Sequence, residues 1–434
     1  MTRFLARSTR RAMTGAVVVG TLGSMLATAV PASAAPDRPA APSAQQSSPA
    51  PDMAALKQAL QGVITAGAPG VFARVDDTSG HSGTVSVGTG DIATRTPVNP
   101  SGDFRVGSVT KTFTSVLVLQ LVAQHKVDLN TAATHYLPHG VLPANSTITV
   151  RQLLNHTSGL YDYTNDLLTG DTVTGYQKFR YRTYRPQDLI ADALKHGQQF
   201  KPGSQYSYSN TNFVVLGMLV EHITGKPYPT VLKQRILAPL KLTHTEFVVP
   251  RTTIDGPHAI GYLTDDDRSK PLFDATNQTA SWIWTAGALI SSTSDLNRFL
   301  HALTTGRLLP RAQLAEMETW QTVTPTSQYG LGLRQYDLSC GTRVIGHDGI
   351  IEGYQTYTYS TKDGSRQVTV SANASNNSDV FAAERRALEP VFCGRPAPAA
   401  QRRSQTVDTQ RIAQQEMPSA RSQTSGTSDL LATP

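Results

Sequence analysis

The chain has 434 residues, 39% hydrophobic and 16% charged, enough to bury a large core and to build more than one structural unit. Its formal charge is +7, of which the four arginines of the first 34 residues supply four, leaving +3 for the remainder. That mild balance gives nucleic-acid binding no support, and two cysteines among scattered histidines offer no metal-ligand spacing, so neither a metal nor another cofactor is expected.

Residues 1–34 read as an export signal. Arg3, Arg7, Arg10 and Arg11 form a basic start, "MTGAVVVGTLGSMLATAV" is the apolar middle, and "ASA" at Ala32–Ala34 has the small-x-small form that signal peptidase cleaves. The arginine pair suits either the general or the twin-arginine route, and the well-formed cleavage site disfavours a retained anchor. No later run approaches the roughly 20 apolar residues needed to span a bilayer. The protein is therefore expected to be secreted, without a stable membrane span once the signal is removed. Residues 35–52 are rich in Pro, Ala and Ser and predict a disordered linker.

The folded body is expected over residues 53–393. It opens with a helix pattern, "MAALKQALQGVITAG", and a hairpin, "GVFARV" and "GTVSVG" joined by "DDTSG". From about 105 to 310 helical patterns and long loops dominate. There "FTSVLVLQLVAQ" is apolar nearly all round and predicts a helix buried inside the body. Three strands follow, "GTRVIGHDG", "GYQTYTYS" and "RQVTVSANA", and then a helix, "DVFAAERRALEPVF". The fold class is α+β: a five-stranded antiparallel sheet drawn from both ends of the body and flanked by terminal helices, with a mostly helical lobe inserted between its halves. A cleft between the lobes is the natural place for a site. Residues 394–434 are polar with few large apolar side chains, which predicts a disordered tail. Cys340 and Cys393, 53 positions apart in an exported chain, predict one disulfide.

Three stretches carry chemistry. "RVGSVTKTFTS" places Ser108 and Lys111 three apart at the start of the buried helix, on one face and one turn apart. A serine hydroxyl is a poor nucleophile until something accepts its proton. A buried lysine loses proton affinity and can do so, and a helix N-terminus favours developing negative charge. In "KPGSQYSYSNTNFVVLG", Tyr208 and Asn210 follow a Pro-Gly turn. A phenol is a useful base only beside a cation, which Lys111 can supply, and an Asn amide can both donate to a carbonyl and accept from an amine. In "GHDGIIEG", His347 and Gly349 sit on a predicted strand, where glycine lets a ligand backbone lie close. Taken singly, each stretch also reads as structure: a serine near a helix cap, a loop tyrosine with a capping Asn, a strand before a Gly-rich turn.

Their joint presence and order resembles the penicillin-recognising serine hydrolases, in the branch with Tyr-x-Asn and His-x-Gly in place of Ser-Asp-Asn and Lys-Thr-Gly. The chain looks most like the secreted serine D-alanyl-D-alanine carboxypeptidases of that branch, with class C beta-lactamases as more distant relatives. The likeness extends to "LLNHTSGLYDYTND", "SWIWTAGALISSTSDL" and "YGLGLR". It implies that Ser108 is acylated, that Lys111 and Tyr208 manage its proton, and that Asn210 contacts the substrate amide. It puts His347 where sister enzymes have lysine and the backbone N–H groups of Ser108 and Ile350 in an oxyanion hole. By the same likeness Arg334 holds the substrate's terminal carboxylate, Trp282 forms an aromatic wall, and Cys340 pairs with Cys393.

Two positions depart from the carboxypeptidase pattern. Asp348 and Ile350 stand where hydroxyl side chains help bind the terminal carboxylate, and positions two apart on a strand share a face. A like-charge pair about 4 Å apart at an effective dielectric near 20 costs about 4 kcal/mol, so carboxylate binding should suffer unless Arg334 or a protonated His347 neutralises Asp348. The expected function is a DD-carboxypeptidase acting on D-Ala-D-Ala ends of peptidoglycan peptides and sensitive to beta-lactams, and a monomer is expected. A relative with shifted specificity (D-amino-acid amidase or aminopeptidase, esterase, beta-lactamase) is the alternative, which Asp348 favours. A non-catalytic penicillin- or wall-binding module is the third.

Overall fold

The structure, a computed structural model, describes residues 49–167 and 171–416. The predicted signal peptide, most of the linker and the last residues of the tail lie outside the described residues. Helix α1 (Met53–Thr65) is capped by Asp52, whose side chain accepts from the Ala55 N–H at 2.9 Å, and it buries Leu56, Leu60 and Val63 along one stripe. Strands β1 (Gly70–Asp77) and β2 (Gly83–Asp91) form the predicted hairpin, followed by a short edge strand β3 (Thr96–Pro97). The lobe supplies three long helices that matter here: α2 (Thr110–Ala123), α3 (Asn210–Thr224) and α4 (Thr293–Thr304). Eleven of the fourteen residues of α2 are buried, as its unbroken apolar character predicts.

The second half of the sheet comprises β4 (Gln321–Thr324), β5 (Ser327–Tyr329), β6 (Arg334–Asp337), β7 (Arg343–Ile351), β8 (Tyr354–Thr361) and β9 (Arg366–Ala372). Among the described residues the sheet has nine strands in the order β3-β2-β1-β9-β8-β7-β6-β5-β4, not five. The five predicted strands are all present, but β3, β4, β5 and β6 run only two to four residues each. Alternation that short does not register in a sequence. The pairing of β1 with β9, Val71 opposite Ala372 through Asp77 opposite Arg366, closes the two ends of the body on each other.

Beyond β9 the predicted helix is broken into α5 (Ser378–Arg385) and α6 (Leu388–Phe392), and a further helix α7 spans Ala399–Glu416. Helices α1, α5 and α6 cover one face of the sheet, where Val71, Val75, Tyr357, Tyr359, Val368 and Val370 meet Leu56, Leu60, Phe381 and Leu388. Helix α4 and the lobe cover the other. Helix α7 lies against α5, so residues 399–416 of the expected disordered tail are helical, while 417–434 lie outside the described residues. Its buried positions, Gln405, Asp408, Thr409, Ile412 and Ala413, follow helical spacing but are mostly polar. They are held by partners: Gln405 donates to Glu389 at 2.6 Å, Arg385 donates to Thr409 at 2.9 Å, and Thr326 donates to Asp408 at 2.7 Å. A rule that counts apolar residues cannot see a helix held by polar pairing. The Cys340–Cys393 disulfide ties the β6–β7 turn to the end of α6.

Candidate active site

Phe104–Arg105 pair with Leu289–Ser291, and the Val106 N–H donates to the Leu289 carbonyl at 3.0 Å, which fixes the chain just before the serine. Gly107 then turns with φ of 52°, in the left-handed region. Ser108 lies in a single 3-10 turn, Gly107–Val109, and Lys111 in the first turn of α2, so the serine stands immediately before the buried helix. Strand β7 passes close beside this turn. A Cβ on Gly107 would lie 2.6 Å from the Ile350 carbonyl, and a Cβ on Gly349 would lie 2.0 Å from the Val106 carbonyl and 3.1 Å from the Ser108 nitrogen. Only two glycines allow the Ser108 and Ile350 backbones to come together in this way.

Lys111 is fully buried, and its ammonium donates to Ser108 Oγ at 2.9 Å, Asn210 Oδ1 at 2.7 Å and the Ala286 carbonyl at 2.9 Å. Burial pulls its pKa down to about 7, against the opposing pull of the Glu416, Asp162 and Asp348 carboxylates. The Lys111 nitrogen lies 4.8 Å above the Tyr208 ring. The Tyr208 hydroxyl is buried without a hydrogen-bond partner among the described residues. Its pKa stands well above 10, chiefly from burial and then from the Glu416 charge, with the nearby Ser108 hydroxyl pulling the other way. Asn210 opens α3 and is oriented by Asp162, which accepts from its backbone N–H at 3.1 Å and its side-chain amide at 3.0 Å. That leaves the amide oxygen free to face Lys111.

On β7 the side chains alternate. Arg334 sits opposite Gly346, so Arg334, Asp348 and Ile350 share one face, while His347 and Gly349 share the other. The His347 ring nitrogen lies 2.9 Å from the Tyr329 hydroxyl, which in turn lies 3.2 Å from His156. Burial holds the His347 pKa down to about 3 and that of His156 well below its ordinary value, so both rings are neutral. His347 therefore carries no charge to offset Asp348. Arg334 does: its Nε is 2.8 Å from Asp348 Oδ1, with both side chains fully buried, and the Tyr359 hydroxyl donates to the same oxygen at 3.0 Å. Arg334 Nη1 donates to Ser327 Oγ at 3.2 Å, and Nη2 is ion-paired with Glu416 at the end of α7. Trp282 is buried in the lobe, its ring edge-on to Phe179 at 5.3 Å and its indole N–H donating to Gln278 at 3.2 Å.

Ser108, Lys111, Tyr208 and Asn210 are thus brought together with the Gly349–Ile350 backbone, and Arg334 with Asp348. Sequence reasoning missed Asp162, His156, Tyr329 and Glu416. The first two lie inside "NHTSGLYDYTND", a stretch informative as a whole in which neither residue stands out. Chemically, a lysine with a pKa near 7 bonded to a serine hydroxyl can take up its proton at neutral pH, and the Ser108 and Ile350 backbones lie close together beside it.

The Beta-lactamase family model matches residues 56–391, nearly all of the expected 53–393 body and none of α7. The chain belongs to the beta-lactamase family of serine hydrolases. Among solved structures this hydrolase is similar to a D-stereospecific amidohydrolase from Streptomyces sp., at 37% identity and a TM-score of 0.71 over 80% of this chain and 100% of that one. It is also similar to the D-amino acid amidase from Ochrobactrum anthropi SV3 complexed with D-phenylalanine, at 27% identity and a TM-score of 0.68 over 79% and 100%. Protein flp of Staphylococcus aureus (strain COL) is 30% identical over 217 residues, 48% of this chain and 40% of that protein. The match therefore spans well under two thirds of that curated relative's length. No described helix is long and apolar enough to cross a membrane.

Proposed function

We propose that the chain is a secreted D-stereospecific serine hydrolase that works through an acyl-enzyme on Ser108 and releases the terminal D-alanine from D-Ala-D-Ala peptides. The observation that carries this reading is the Lys111–Ser108 hydrogen bond of 2.9 Å, made by a lysine whose burial leaves it partly neutral near pH 7. In this reading neutral Lys111, with Tyr208 as relay, takes the Ser108 proton as Oγ attacks the amide carbon. The Ser108 and Ile350 N–H groups receive the oxyanion. The proton is returned to the leaving amine, and water then cleaves the ester. Asn210, held by Asp162, contacts the substrate amide. The leaving group's carboxylate is assigned to Arg334. The ion pair that Arg334 already makes with Glu416 supports this, since the guanidinium accepts a carboxylate despite Asp348 beside it.

A second reading is a D-amino-acid amidase, whose leaving group is uncharged. Two things favour it: the likeness to the amidohydrolase and amidase structures, and the neutralisation of Arg334 by Asp348. Labelled penicillin should attach to Ser108 and not to Ser108→Ala; an adduct located elsewhere refutes the nucleophile. Turnover of a D-Ala-D-Ala peptide against its C-terminal amide decides between the two leaving groups.

A further inference from the structure

The last described helix ends inside the site. Helix α7 packs along α5, and its final residue, Glu416, has a side chain only 2% exposed, ion-paired with Arg334. One Glu416 oxygen is buried without a partner, as is the side-chain oxygen of Gln415 beside it. Beside it, Ser108 is 6% exposed, Tyr208 5% and Lys111 0%.

We propose that α7 is an intramolecular inhibitor: the Glu416 carboxylate occupies the anion position on Arg334, and the helix must undock before substrate reaches Ser108. This rests on the reading of Ser108 as the nucleophile.

Three observations support it. The first is occupancy, since an acyl-donor substrate whose carboxylate pairs with Arg334 and Glu416 on Arg334 exclude each other. The second is electrostatic. Of the charged groups acting on Lys111 and on Tyr208, Glu416 is the strongest, and it raises the pKa of both. It thus favours the ammonium and the phenol, the two forms that cannot accept the serine proton. The third is that the helix is built to be released. Its inward stripe is mostly polar, Ile412 is its single large aliphatic side chain in the core, and Val407 is 43% exposed. The bonds from Gln405, Thr409 and Asp408 to Glu389, Arg385 and Thr326 are ones that water can replace on undocking. A segment with little apolar burial sits at the low-stability end of a fold and opens without global unfolding. A substrate surrogate on such a segment is a latch.

The test uses the full chain after signal removal, with Glu416→Ala and Glu416→Gln alongside it. Labelling of Ser108 by a fluorescent fluorophosphonate measures access to the nucleophile, and hydrogen exchange of the amides of residues 399–416 measures docking. Both variants should label at least tenfold faster than the parent, and their 399–416 amides should exchange faster. Faster exchange with unchanged labelling overturns the inhibition and leaves Ser108 as nucleophile. Unchanged exchange overturns the role of Glu416 as the latch. If no form labels at Ser108 while the helix is released, the catalytic reading fails and the inhibition fails with it.

Discussion

The pH dependence of acylation should report Lys111 directly. An ordinary lysine with a pKa of 10.5 is neutral in only roughly three molecules per ten thousand at pH 7. Burial brings Lys111 down to about 7. The neutral fraction then rises from roughly a tenth at pH 6 to roughly nine-tenths at pH 8. The sign follows from the role: the base must be unprotonated, so the rate falls as pH drops through this pKa, about tenfold per unit once well below it. The assay is the second-order rate of Ser108 labelling by a penicillin between pH 5 and 9. His347 does not titrate in that window, because burial holds it down to about 3, and burial likewise pulls His156 well below its ordinary value. Glu352 does, pushed up by burial to about 7, and Glu416 is drawn upward by burial and the Asp348 charge while Arg334 and Lys111 hold it down. The profile is therefore repeated in Glu352→Gln and Glu416→Gln. A limb that persists in both belongs to Lys111, and in Glu416→Gln it should move to lower pH, because a carboxylate that favours the ammonium is gone. Lys111→Arg, which cannot lose its proton, should lower the rate by roughly 10²–10⁴-fold at pH 8 and abolish the limb, so that the gap to the parent narrows toward pH 5. A profile flat from pH 5.5 to 8.5 in the parent would refute the lysine as base.

Asp348→Asn keeps an acceptor for Tyr359 while removing a charge next to Arg334. In a Glu416→Ala background it should raise kcat/KM for a D-Ala-D-Ala peptide relative to its C-terminal amide, by up to about a thousandfold for like charges about 4 Å apart. An unchanged ratio would mean the substrate carboxylate does not sit on Arg334. Gly349→Ala puts a methyl 2.0 Å from the Val106 carbonyl, so β7 must shift away from Ser108. The acylation rate should drop by roughly 10²–10³-fold, as for loss of an oxyanion donor, and a rate within twofold of the parent would show that the two backbones do not form the hole. The unreduced protein should show no free thiol, and reduction of Cys340–Cys393 should lower its stability by about 4 kcal/mol, the loop-closure value for 53 residues. Unaltered chemical denaturation after reduction would contradict this.

What the sequence determined by itself was local. The pairing of Ser108 with Lys111 follows from helical spacing, which holds wherever the helix lies. The burial of α2 follows from its composition, and the central strands follow from runs long enough to alternate. The tertiary structure decided whatever depends on which surfaces meet. Lys111 acquires a pKa near 7 because α3 and the Ala286 loop close over it, and no neighbour in sequence could do that. Asp348 reads as a repulsive wall until β6 brings Arg334 alongside and turns it into half of a buried ion pair. Residues 399–416 are polar enough to read as disordered. They form a helix because Arg385, Glu389 and Thr326 offer partners spaced to match its inward stripe, and side-chain partners from elsewhere in the chain leave no trace in local composition.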